Sequence, residues 1–155
     1  MGKGAWEWGR CAAVALVLAG CGGGAEGPVH PAPVDPARVR VPGDAPAALE
    51  RCRELLDSLA DPLQLGTELH RRRPVADELA VVCDTLGEVA AKSYAPELAS
   101  KLGARGREMA TEARKLAKHL RDDDAVSARQ VHTGLVRMRS RLQESLDHAT
   151  RKKEE

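Results

Sequence analysis

Aromatic side chains are scarce in this chain: no phenylalanine, one tyrosine and two tryptophans in 155 residues. Both tryptophans, Trp6 and Trp8, lie in the extreme N-terminal segment. Any core further along must therefore be assembled from Leu, Val, Ala and Met. Sandwiches and barrels lean on aromatic and β-branched residues, so their scarcity points away from sheets and towards helices. An excess of charge of one sign is also lacking. There are 24 basic against 23 acidic residues, and taking away residues 1–20, which hold Lys3, Arg10 and Glu7, leaves 22 of each. That balance argues against a general affinity for nucleic acid or for anionic lipid. Gly-rich phosphate loops, serine elbows and paired carboxylates are missing too, so no enzyme is expected and no cofactor is implied. At this length there is room for one modest domain.

What is present begins with an address. Lys3 and Arg10 precede an unbroken apolar run at 11–19, a charged region followed by a short hydrophobic one. The run falls short of the ~20 residues that a membrane-spanning helix needs, and Gly22, Gly23 and Gly24 would end any helix there. The four residues Leu18-Ala19-Gly20-Cys21 resemble the lipobox of bacterial lipoproteins. That resemblance implies a diacylglycerol on the Cys21 thiol, cleavage just before it, and attachment to a membrane through acyl chains. At ~0.8 kcal/mol per buried methylene, two or three such chains anchor stably. Glycine at position 22, by similarity to envelope sorting rules, implies the outer membrane, with the chain facing the periplasm or the cell surface. An ordinary secretory signal with a chance cysteine, or a buried helix, is the alternative. The expected organisation is a signal peptide over 1–20, a lipidated linker over 21–46, a helical domain over 47–150 and a charged tail over 151–155.

From Gly22 to Pro46 the chain is rich in Gly, Pro and Ala and has no apolar period. It reads as a disordered tether, reaching about 75 Å if extended in polyproline-II fashion. His30 lies within it without a partner at metal-binding spacing. Beyond the tether, apolar residues recur at steps of three and four. The first set is Leu49, Cys52, Leu56, Leu59 and Leu63, and the second Val75, Leu79, Val82, Leu86 and Val89. The third is Leu98, Leu102, Met109, Leu116 and Leu120, with Arg105 and either Glu112 or Ala113 filling the intervening seam positions. The fourth is Ala128, Val131, Leu135, Met138, Leu142, Ser145 or Leu146, and Ala149. Pro46 and Pro74 suit first-turn positions, Pro96 separates the second and third helices, and Asp122-Asp123-Asp124 ends the third and caps the fourth. Arg151, Lys152 and Lys153 place cations at the C-terminal end. The pattern predicts an all-α, up-down-up-down antiparallel four-helix bundle after a disordered tether. The stretch Asp61–Arg73 reads either as a loop or as helix running into a kink at Pro74.

In an antiparallel pair, facing residues lie symmetrically about the connection. The midpoint of Cys52 and Cys83 falls inside Asp61–Arg73, and that of Met109 and Met138 falls on the three aspartates. A Cys52–Cys83 disulfide is therefore expected in an oxidising compartment, with two buried free thiols as the alternative. The second-to-third connection also sets Cys83 opposite about Gly106. Two thiols and two thioethers at similar depth would suit Cu(I); the plainer reading is a disulfide and two methionine gap-fillers.

The third and fourth segments, KLAKHLRDDDAVSARQVHTGLVRMRSRLQESLDHATR, resemble the last two helices of the four-helix-bundle cytochromes such as cytochrome c-prime. The haem-attachment position of that family falls near Met138–Gln143, read here as MRSRLQ, which has neither Cys nor His and so excludes covalent haem. The resemblance implies architecture, and its functional extension is a degenerate cytochrome-like bundle handling copper or another metal in the periplasm. His70, His119, His132 and His148 are scattered and read mainly as surface residues, Arg71-Arg72-Arg73 as a solvated loop or helix start, and Asp122–Asp124 as caps. A lipid-anchored cell-envelope protein acting as a binding or structural module is the expectation that joins these readings.

Overall fold

The computed structural model describes residues 31–154, with side chains as far as Arg151. Five helical segments follow one another: α1 Ala45–Leu65, α2 Arg73–Asp84, α3 Leu86–Ala91, α4 Pro96–Arg121 and α5 Ala125–Glu154. Helices α2 and α3 together form the second arm of the bundle, interrupted at Thr85. The arms close a ring: α1 packs on α2 and α5, while α4 packs on α2, α3 and α5. This is the expected four-helix bundle.

Local chemistry sets the ends of each helix. Asp44 stands extended before α1 and accepts a hydrogen bond from the Ala47 N–H at 2.8 Å, with Pro46 in the first turn. The helix tolerates Pro62 in its final turn and stops at Gly66, whose φ of 70° lies in the left-handed region. The Gly66 N–H bonds back to the Pro62 carbonyl at 2.9 Å. A single 3-10 turn, Leu69–Arg72, then leads straight into α2. The open stretch Asp61–Arg73 thus resolves into helix end, glycine stop and one buried-leucine turn. At Thr85 the hydroxyl donates to the Val82 carbonyl at 2.8 Å, and such back-bonding competes with the helical ladder.

Helix α5 runs on through Glu154, so the segment read as a charged tail is mostly its last turn. Lys, Arg and Glu are good helix formers, and the cations sit at the end where the helix dipole favours them. At the other end of the domain, order begins before the expected boundary. Asp35 caps a short 3-10 turn, Pro36–Arg38, and Val39 and Val41 pack against the core. Arg40 between them is exposed, the alternation of an extended segment. Residues 39–41 therefore lie against the bundle core just ahead of α1 in the chain.

All five apolar positions read on the first helix are buried. On α4 the seam differs from the expectation. Arg105 is exposed, and Gly106 takes the buried position beside it, with Ala99, Gly103, Ala110, Ala113 and Ala117 completing a face of small residues. The cause is the closeness of α4 to α2 and α3. A Cβ on Gly106 would lie 2.4 Å from the Cys83 carbonyl oxygen, and one on Gly87 would lie 2.8 Å from the Gly103 Cα. On α5, Leu135, Leu142 and Leu146 are buried while Ser145 is exposed. Tyr94 packs partly buried against the core at the α3–α4 connection.

Gly106→Ala should cost about 1–3 kcal/mol, as overpacking of a tight contact does. Gly134 offers the contrast, since nothing lies within 4 Å of the position a Cβ would take there. Gly134→Ala should add roughly 0.5–1 kcal/mol by helix propensity. Chemical denaturation of the two variants against the parent checks both signs.

Candidate functional site

Cys21, the residues Leu18-Ala19-Gly20 before it and His30 lie outside the described residues. Within them, α1 and α2 bring the sulfurs of Cys52 and Cys83 to 3.6 Å of each other, both side chains fully buried and both free thiols. The register read from the sequence is realised: these two residues face one another across the first pair of arms. The opposed positions of Cys83 and Gly106 are realised as well. Hydrogen bonding with Cys52 and then burial push the Cys83 thiol well above its ordinary range, so it stays protonated.

Met109 and Met138 also meet as expected. They line a crevice of about 140 Å³ between α4 and α5, with Arg105, Arg141, Leu142 and Ser145 around it. Met109 is buried and Met138 half-buried. The cysteines thus lie together between α1 and α2, while the methionines share a crevice between α4 and α5. Among the described residues no three or more His, Cys, Asp or Glu side chains converge as a metal site.

Three of the histidines are more engaged than their scatter along the chain implies. The His70 backbone N–H donates to Asp123 Oδ1 at 3.0 Å, and its ring Nδ1 lies 3.0 Å from Asp123 Oδ2. This clasp ties the turn before α2 to the turn between α4 and α5. His119 Nδ1 lies 3.4 Å from Asp124, whose other carboxylate oxygen accepts from the Ser127 N–H and caps α5. His132 Nε2 reaches the Leu56 carbonyl at 2.9 Å. Arg139 Nε reaches the Leu49 carbonyl at 3.4 Å, with its guanidinium 3.8 Å from Glu50. Polar side chains thereby help fasten α5 to α1, and one of them, Arg139, lies in the stretch Met138–Gln143. His148 is exposed, in keeping with its reading as a surface residue.

The basic run is dispersed by local pairing: Arg71 bonds to Glu68 at 3.1 Å and Arg73 lies 3.4 Å from Asp77. The three aspartates do act at the helix ends. Asp122 closes α4 and pairs with Arg121, Asp123 holds a left-handed φ of 51° and the His70 clasp, and Asp124 caps α5. Comparison with protein families, with curated proteins and with solved structures finds no match to this chain.

Asp123 is held below the ordinary carboxylate range. Desolvation works in the opposite direction, and the His70 backbone N–H, ring and charge together outweigh it. A depressed carboxyl contributes stability above its unfolded value of about 3.9 and loses it as pH falls through the folded value. Asp123→Asn keeps a side chain that tolerates the left-handed backbone and removes the charge. It should lose up to about 1 kcal/mol at pH 7, the scale of a half-exposed pair, and the difference from the parent should shrink as pH falls below about 4 and vanish beneath the folded value. Urea titrations at the two pH values measure this.

Proposed function

We propose that this chain is a lipid-anchored protein of the cell envelope, its helical bundle a binding or structural module held to a membrane through acyl chains on Cys21. The observation that carries the reading is Leu18-Ala19-Gly20-Cys21 at the end of a charged and then apolar segment. Among the described residues no helix is long and apolar enough to cross a membrane, so in this reading the grip on the bilayer belongs to the N-terminus. The architecture beyond it supports the same assignment. The bundle core is aliphatic, with no buried polar or charged residue among those described. Val39 and Val41 dock the end of the linker on that core, which fixes the end of the bundle at which the tether arrives. By similarity to envelope sorting, glycine after the lipidated cysteine directs the chain to the outer membrane.

The parent chain should fractionate with membranes, and Cys21→Ser should move to the aqueous fraction. Intact mass of the extracted parent should start at Cys21 and include the acyl groups. A Cys21→Ser chain held by membranes as firmly as the parent would overturn the proposal.

A further inference from the structure

We infer that Cys52 and Cys83 are a disulfide site closed during folding, before the bundle packs around them, by exchange with a disulfide of the exported compartment. The inference rests on the envelope location proposed above for its oxidising surroundings. Geometry carries the pairing. The two sulfurs face each other from adjacent arms at 3.6 Å, so an approach of about 1.5 Å reaches bonding distance.

Geometry also carries the order of events. Neither cysteine has any exposed surface. Helix α4 packs on α2 beside Cys83, with Gly106 set so close to the Cys83 carbonyl that a methyl group would not fit. Once the bundle is packed, an oxidant cannot reach either sulfur without local opening. The protonated state of the buried Cys83 adds a chemical barrier, because the thiolate is the attacking form. In the unfolded chain, or in an α1–α2 pair not yet covered, both obstacles are absent. One thiol then loses its proton and attacks the oxidant disulfide, releasing one thiol of the oxidant and forming a mixed disulfide. The second cysteine thiolate displaces the remaining oxidant sulfur. Two electrons and two protons pass to the oxidant, which ends as two thiols, and the new bond closes a loop between residues 31 positions apart.

The test uses the full chain. Denatured, reduced protein is refolded in a mixture of reduced and oxidised glutathione, quenched with an alkylating agent at intervals and mapped by peptide mass. Folded, reduced protein receives the same mixture in parallel. Cross-linking at Cys52 and Cys83 should accompany refolding, and in the folded protein it should be slower by about 100-fold or more, limited by local opening. The oxidised form should melt about 10 °C or more above the reduced form. In protein extracted from its membrane without reductant, both cysteines should resist alkylation until a reductant is added. Equal rates for the folded and unfolded chains would overturn the order of events. Alkylation of both residues in the unreduced extract would overturn the site itself. Lipidation is read on the separate peptide that carries Cys21, so a lost anchor and a missing cross-link are distinguishable.

Discussion

The close contact of α4 with the broken second arm is the constraint on which the rest of the bundle depends. A core with no fully buried aromatic ring is filled mainly by leucine and alanine, so its helices must approach closely where side chains are smallest. Gly87, Gly103 and Gly106 supply that approach, and the Cys83 carbonyl sits where a larger residue would stand. The buried leucines then fill the wider spaces along the other seams. The same contact involves the backbone of Cys83, so close packing and the buried thiol pair share one stretch of α2.

Fastening of the fourth arm follows a different rule. Helix α5 buries fewer side chains than its length would allow, and polar contacts share in holding it to α1. His132 and Arg139 both reach backbone carbonyls already engaged in the α1 ladder, using the second lone pair that every carbonyl retains. At the far end the His70–Asp123 clasp joins the two inter-helix turns. Along the length of the domain, then, aliphatic packing dominates the α2–α4 side, and directional bonds contribute more on the α1–α5 side.

The helical architecture was legible because periodic leucines report burial directly: Leu49, Leu56, Leu59 and Leu63 all enter the core where their spacing puts them. Register was legible for a related reason, since facing positions in antiparallel arms mirror each other about the turn, and Cys52 meets Cys83 accordingly. Seam positions on α4 were not. A heptad reading looks for large apolar residues and fills the gap with Arg105, whereas the closest point of approach is marked by a missing side chain at Gly106. The His70–Asp123 pair leaves no trace in local spacing, being 53 residues apart. One further signal lies in the tether: Arg38-Val39-Arg40-Val41 alternates as an extended segment does when one face is covered. The thiol pair was thus readable as neighbours, while its full burial required the fold.

Tyr94 gives the molecule an unusual optical character. With residues 1–20 removed, no tryptophan or phenylalanine remains and Tyr94 is the sole aromatic ring. It packs half-buried at the junction of the third and fourth segments. Ultraviolet emission from a chain lacking residues 1–20 would therefore come from a single fluorophore, and its quenching would track solvent entry at the α3–α4 junction alone.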